Sequence, residues 1–173
     1  MKLQFRKAVP EEIPVIWEIL QQAIRRRKSD GSNQWQDGYP NRDVVQGDID
    51  RGVGFVLTTN DAIIGYSAVI INDEPEYARI RGRWNTNGDF VVIHRIAISD
   101  GYLGQGLAGE ILNFAADFAR SKGIYSLRAD TNYDNPAMLR TFLKLGFVYC
   151  GEVYFRGSAR LAYEKVLKDG APD

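Results

Sequence analysis

Apolar and polar residues along the chain follow two rhythms, one of period two and one near 3.6, and the changes between them mark the elements. Lys2–Ala8 alternates as a first strand should. Pro10, Glu11 and Glu12 suit a helix start: proline has no N–H to leave unpaired, and the acids meet the positive end of the dipole. Ile13, Ile16, Trp17, Leu20 and Ile24 then recur at helical spacing as far as the basic run Arg25–Arg26–Arg27–Lys28. That run either complements the negative end of the helix or contacts a phosphate or an acidic substrate. Ser29–Asn41 is a polar stretch holding Trp35 and Tyr39, and a short helix is expected over Arg42–Asp50. Val53–Thr58 and Ala62–Ile71 read as strands joined in a hairpin around Asn60–Asp61. Asn72–Asp89 is a second irregular stretch, with Tyr77, Arg79, Arg81, Arg83 and Trp84. Long loops with exposed aromatic rings suit substrate contact, or else surface packing or a subunit contact.

The second half is more regular. Phe90–Ser99 is the strongest strand of the chain. After a glycine-containing turn, Leu107, Ile111, Leu112, Phe114, Ala115 and Phe118 form one helical stripe, and Gly123 marks its stop. Ser126–Asp130 is a short strand. Asn135 and Pro136 cap a helix over Ala137–Leu145 that ends at Gly146. Phe147–Phe155 and Leu161–Leu167 predict a terminal antiparallel pair, and Lys168–Asp173 a frayed tail. Hairpins thus flank one strand–helix–strand unit, which predicts a mixed α/β fold, not a doubly wound sheet.

Length and charge narrow the classes. The 173 residues suit one domain, 1–173, and 22 basic residues balance 22 acidic ones, so nothing favours nucleic acid or an acidic membrane as a bulk partner. The single cysteine, Cys150, cannot form an internal disulfide, and one histidine with one cysteine cannot build a structural zinc site; no metal is expected. The start, MKLQFRKAVPEEIP, has no apolar signal core, and no run approaches a membrane span. A cytoplasmic location is the expectation.

Chemistry concentrates in the turn between the best strand and the best helix. Gly104, Gly106 and Gly109 fall where N–H groups at a helix start point outward unpaired and the dipole adds positive potential. Without side chains there, a diphosphate can approach those amides. The segment 104–109 also fits the dinucleotide pattern G-x-G-x-x-G, with Asp130 near where a ribose-binding acid would sit. Against an NAD site, Asp100–Leu103 intervene after the strand and too few strand–helix units follow. A P-loop is excluded, since no Gly-Lys-Ser/Thr is present.

Two stretches, IAISDGYLGQGLAGEIL and NPAMLRTFLKLGF, resemble the GNAT superfamily of acetyl-CoA-dependent N-acetyltransferases. The first carries that family's Gln/Arg-x-x-Gly-x-Gly/Ala turn as Leu103-Gly104-Gln105-Gly106-Leu107-Ala108, with Leu103 in place of Gln/Arg. The second carries its Asn-to-Gly-Phe segment through Asn135, Met138, Thr141, Phe142, Gly146 and Phe147, with Phe142 in place of tyrosine. The resemblance implies a mixed, mostly antiparallel sheet of about seven strands flanked by about four helices, with a central parallel pair that splays apart. It implies acetyl-CoA as the cofactor, with Leu103, Gly104, Gln105, Gly106, Leu107, Ala108 and Gly109 at the pyrophosphate. Main-chain groups of Ile96, Ala97 and Ile98, with Asn132, Asn135, Met138 and Phe142, would meet the pantetheine arm. The acceptor would be a primary amine on a small molecule or peptide; dimers are common in the family, so a homodimer is allowed for. Strand alternation puts Val92, His94, Ile96 and Ile98 on one face. Val92 stands where relatives often have a glutamate base, so His94 is the candidate base, or else a structural histidine. The Ile96 N–H would polarise the thioester carbonyl, as an oxyanion hole does. With Phe142 unable to protonate the leaving thiolate, another tyrosine (Tyr133, Tyr149 or, as the catalytic candidate, Tyr154) or solvent would do so. Gln34, Trp35, Tyr39 and Trp84 are the candidate acceptor-binding residues. A non-catalytic CoA-binding domain remains the other reading.

Overall fold

The structure is a computed structural model that describes residues 1–168. The expected frayed tail lies, from residue 169 onward, outside the described residues. The strands are β1 (Leu3–Lys7), β2 (Gly54–Thr59), β3 (Ala62–Ile71), β4 (Arg81–Gly82), β5 (Val91–Ile98), β6 (Ser126–Thr131), β7 (Val148–Phe155) and β8 (Ser158–Val166). The helices are α1 (Ile13–Ser29), α2 (Arg42–Asp50), α3 (Leu107–Ser121) and α4 (Pro136–Lys144). The sheet has eight strands in the order β1-β2-β3-β5-β6-β8-β7-β4. Val91–Ile93 of β5 pair in parallel with Leu127–Ala129 of β6, whereas β1–β2, β2–β3, β6–β8, β7–β8 and β4–β7 are antiparallel. A mixed, mostly antiparallel sheet with a single parallel pair is the expected class, and it rules out a doubly wound dinucleotide fold.

The eighth strand, β4, was not foreseen. It exists because two glycines let two backbones nearly touch. A Cβ on Gly82 would lie 2.1 Å from the Cys150 carbonyl oxygen, and one on Gly151 would lie 2.3 Å from that of Arg81. Only glycine fits both places. The stretch around β4 is therefore less irregular than its sequence suggests, and it also holds a 3-10 turn at Pro75–Arg79.

The chain forms two compact units, one of Met1–Val69 with Arg95–Ile111, the other of Ile70–His94 with the chain from Leu112 on. In the first unit, Ile13, Ile16, Ile19, Leu20 and Ala23 of α1 meet Val45, Val56, Tyr66 and Ala97 in one buried cluster. Ile16 and Leu20 are fully buried, each contributing roughly 1.5–3 kcal/mol by removal from water. The β2–β3 hairpin turns on Asn60 and Asp61 with φ of 48° and 65°, the left-handed pair that a type I′ turn needs. In the second unit, Tyr77, Val92, Val153 and Ala162 form a buried cluster with Trp84, Phe90 and Phe155 packed on it. Along α3 the deepest positions are Leu107, Ile111, Leu112, Ala115, Ala116 and Ala119; Phe114 and Phe118 stand at the margin of the expected stripe. Among the described residues no helix is long and apolar enough to cross a membrane.

Candidate active site

The glycine turn adopts the geometry its composition suggests. Gly104 and Gly106 have φ of 76° and 72°, a region costly for any residue with a Cβ. Gly106 caps α3 with its carbonyl, which accepts from the Glu110 N–H at 3.2 Å. The N–H groups of Leu107, Ala108 and Gly109 precede that first helical bond and have no partner within the helix. Leu103, Gly104, Gln105 and Gly106 are exposed, so the turn presents main chain to solvent. The turn is anchored from α1. Arg26 pairs with Asp100 and donates from Nη2 to the Ile98 carbonyl at 2.9 Å, and Gln22 Oε1 accepts from the Asp100 N–H at 2.8 Å. Arg25 and Arg27 pair with Glu18 and Asp30. The basic run therefore serves internal ion pairs, and the Ile98 carbonyl, one of the groups expected to stay open for a ligand, is already engaged by Arg26.

β5 is not a regular strand. Arg95 has φ of 59°, left-handed, so the alternation breaks between His94 and Ile96. Val92 and His94 both pack beside Tyr77 in the second unit. Past the break, Ala97 lies in the α1 cluster, and the Ile98 side chain lies against Gly65, as Ile111 does, in the first unit. The left-handed Arg95 interrupts the alternation on which the expected common face of Val92, His94, Ile96 and Ile98 rests.

In the second unit His94 sits in a cluster of acids. Its Nε2 lies 2.6 Å from Glu74 Oε2, and its Nδ1 lies 3.8 Å from Asp130 Oδ2. Tyr77 donates its hydroxyl to Asp130 Oδ2 at 2.6 Å. The side chains of His94, Glu74 and Asp130 are only 14%, 11% and 9% exposed, so little water screens these charges. Burial pushes the Asp130 carboxyl up, against the opposing pull of His94 and Tyr77. Burial, then the Asp130 charge and hydrogen bond, hold the Tyr77 hydroxyl well above its usual range, so it stays a donor. The rings of Tyr77 and Phe155 stand edge-on to the imidazole at 6.0 and 5.8 Å. Glu74 was not found from sequence, and Tyr77 was named only as a ring of the second irregular stretch. Asp130 was named only as a residue near a ribose-acid position; it follows the last parallel pair, Ile93 opposite Ala129, as His94 does on the other strand. In that place it is bonded to Tyr77 and does not await a ribose.

Other candidates are placed as follows. Asn132 is 3% exposed and its Oδ1 is a buried acceptor with no partner among the described residues. Asn135 caps α4, accepting from the Met138 N–H at 3.3 Å, and donates to Thr131 Oγ1 at 3.3 Å. Phe142 is fully buried between the rings of Phe147 and Tyr163, at 5.2 and 5.1 Å. Tyr154 is not brought to His94. Val153 and Phe155 face the Tyr77 cluster, so Tyr154 points to the other side of β7, where it donates to Glu152 at 2.9 Å and accepts from Arg81 at 3.2 Å. Its hydroxyl is raised chiefly by the bond to Glu152. Tyr77 and Trp84, expected as exposed loop rings, are packed instead. Tyr77 is buried, and Trp84 lies 4.9 Å from the Tyr77 ring, under the Arg128 guanidinium at 4.4 Å, donating to the Tyr77 carbonyl. Trp84 is therefore a half-buried ring packed on the Tyr77 core. In the first unit Trp35 packs against the α1 cluster, Gln34 donates its N–H to Ser32 Oγ at 3.0 Å, and Tyr39 accepts from Arg95 Nη1 at 2.5 Å.

A strand, a left-handed glycine turn and a helix with open N-terminal amides, in a mixed sheet with one parallel pair, make an α/β fold built to receive an anion at that helix start. The chain belongs to the Acetyltransferase (GNAT) family, whose pattern matches residues 17–147, and it is an N-acetyltransferase. A GNAT-family acetyltransferase from Streptococcus agalactiae is 36% identical, with a TM-score of 0.87 and 96% of each chain covered. The N-acetyltransferase YesJ of Bacillus subtilis is 25% identical over 148 residues, 83% of this chain and 81% of YesJ. The Salmonella typhimurium acetyltransferase yncA, whose structure holds its cofactor acetyl-CoA, shares the fold at 19% identity, with a TM-score of 0.68 and 99% and 98% of the two chains covered.

Proposed function

We propose that this protein transfers an acetyl group from acetyl-CoA to a primary amine by direct attack, the two substrates bound together, with His94 as the base. The observation that carries the reading is the left-handed Gly104–Gly106 turn opening on the N–H groups of Leu107, Ala108 and Gly109, which have no partner within the helix. Acetyl-CoA supplies an activated thioester whose thiolate is a far better leaving group than an alkoxide. The amides of Leu103 through Gly109 would hold its diphosphate. The orphaned Asn132 Oδ1 fits a ligand amide N–H, and Asn135 with Met138 would complete that wall, Phe142 supporting it from the core behind. The N–H of Ile96, just past the Arg95 break, would stabilise the developing oxyanion, with Ala97 and Ile98 beside it. An amine is protonated at neutral pH and must lose its proton before it attacks. His94 accepts that proton, Glu74 fixes the ring through Nε2 and stabilises the imidazolium formed, and Asp130 adds to that stabilisation from 3.8 Å. The same carboxylates favour an acceptor that arrives as a cation. Gln34, Trp35 and Tyr39 remain the proposed acceptor-binding residues. Solvent, not Tyr154, protonates the departing thiolate. The reading treats 1–173 as one catalytic domain; the family match runs through residues of both units. The single Cys150 thiol suits a reducing cytoplasm. The acceptor is a small molecule or peptide, and the reading leaves room for a homodimer without requiring one.

The test measures CoA release from acetyl-CoA against a panel of primary amines, with wild type and His94→Ala. The expected result is turnover with at least one amine and a kcat about 10²- to 10⁴-fold lower in the variant, at little cost in acetyl-CoA affinity. Unchanged turnover would remove His94 from the chemistry. Binding of CoA without turnover on any amine would favour a non-catalytic CoA-binding domain.

A further inference from the structure

Arg95 stands left-handed in the middle of a strand, a conformation that persists only where its surroundings over-determine it. Within the first unit those surroundings are specific. Arg95 Nε donates to Asp48 Oδ2 at 3.0 Å and Nη2 to Asp48 Oδ1 at 2.5 Å, a bidentate pair. Tyr66 donates its hydroxyl to Asp48 Oδ2 at 2.6 Å, and Arg51 reaches Oδ1 at 3.3 Å. The third arm of the guanidinium, Nη1, donates to Tyr39. The Asp48 side chain is fully buried and that of Arg95 is 8% exposed. A buried charge pair of this kind is weak evidence for stability but a strong geometric constraint. The residue it constrains precedes Ile96. A left-handed residue sets the direction of the peptide that follows it, here the Arg95–Ile96 peptide that carries the Ile96 N–H.

We propose that Asp48 is a positioning residue for acetyl transfer: by clamping the left-handed Arg95 it aims the Ile96 N–H, and through the same guanidinium it fixes Tyr39 of the 29–41 segment. The inference rests on the reading of Ile96 as the oxyanion donor. Asp48 itself touches no substrate. Its effect is to keep a hydrogen-bond donor in register with a developing charge, where a displacement of about 1 Å can cost on the order of 10²-fold in rate.

The experiment compares wild type, Asp48→Asn, Arg95→Lys and the double variant Asp48→Asn/Arg95→Gly. Each is checked for folding by circular dichroism, then assayed for kcat, for KM of acetyl-CoA and amine, and for the Ile96 amide signal in NMR spectra of labelled protein. Glycine adopts the left-handed conformation without a clamp, so the double variant separates aiming of the backbone from general support of the fold. The expected result is that Asp48→Asn and Arg95→Lys lower kcat about 10- to 100-fold. KM for acetyl-CoA should change less than about threefold and the Ile96 amide signal should shift, while the double variant recovers most of kcat and moves the Ile96 signal back toward the wild-type position, with KM for the amine still raised because Tyr39 has lost Arg95. Loss of kcat in the single variants without recovery in the double one overturns the proposal, as does an unmoved Ile96 signal. If Asp48→Asn does not fold, Arg95→Lys with the double variant decides the matter on the same terms. Absence of turnover in wild type with every amine would instead sink the underlying reading, and the Ile96 signal would then still test the clamp.

Discussion

Asn132 is where stability and binding should pull in opposite directions. Its side chain is 3% exposed and its Oδ1 has no hydrogen-bond partner among the described residues. A buried acceptor left in that state costs about 1–3 kcal/mol relative to one that is satisfied. A ligand amide would remove that cost; so would deleting the oxygen. Asn132→Leu keeps nearly the same shape and replaces the carboxamide with an apolar group. The backbone bond from the Asn135 N–H to the Asn132 carbonyl, at 3.2 Å, does not depend on the side chain. Allowing about half of the gain to be lost to imperfect packing, the ligand-free variant should be more stable by about 1 kcal/mol, or about 2–4 °C in Tm for a chain of this size. The lost bond to the ligand is worth about 0.5–1.5 kcal/mol net, so Kd for acetyl-CoA should rise about two- to twelvefold. Thermal melts with and without acetyl-CoA, together with calorimetric titration, measure both effects on the same samples. The ligand-induced rise in Tm should shrink while the ligand-free Tm increases. A variant that melts lower and binds acetyl-CoA as tightly as wild type would refute the argument, because Asn132 would then be a structural asparagine and its Oδ1 no part of a binding surface.

Much of the fold is legible because local chemistry and tertiary structure agree. Asn60 and Asp61 tolerate the left-handed turn that joins β2 to β3, and Asn135 with Pro136 starts α4 as their side chains dictate. The glycine turn before α3 was legible for the same reason. The departures come from partners distant in sequence. β4 depends on Gly82 meeting Gly151, and no local pattern announces a two-residue edge strand. The Arg95 at the break in β5 is bonded to Asp48, 47 residues earlier, so strand alternation read from Val92 and His94 does not carry past it. Glu74 reaches His94 across 20 residues and Tyr77 reaches Asp130 across 53. A histidine alone in a sequence therefore gave the candidate base but not the acids that decide what it can do. Aromatic residues in long segments were misread as exposed, since Tyr77 and Trp84 cover a core that the sheet alone cannot close.

Gly106→Ala tests the turn directly. Space is open around the position but its φ is 72°, so the variant should lose about 1–2 kcal/mol of stability and bind acetyl-CoA at least tenfold more weakly by calorimetry; unchanged affinity would dissociate the turn from the diphosphate. Glu164→Gln tests the frame of the second unit. The Glu164 carboxylate is fully buried and accepts from the Asn85 N–H and Thr86 Oγ1 at 2.6 Å, Ser126 Oγ at 2.5 Å and Arg128 Nε at 3.0 Å. Removing its charge leaves the Arg128 guanidinium buried without its counter-ion, so the variant should be less stable by about 3–5 kcal/mol in urea melts at pH 7. Burial alone would raise this carboxyl, but the bonds from Ser126, Thr86, Arg128 and the Asn85 N–H outweigh it and hold the group below its ordinary value. A carboxyl lowered on folding contributes stability that is complete above its unfolded pKa of about 4.3 and is lost as pH falls through the lower folded value. The gap between wild type and Glu164→Gln should therefore narrow on acidification below about pH 4.3, and a gap that stays constant from pH 7 to pH 3 would show that shape, not charge, makes Glu164 fit.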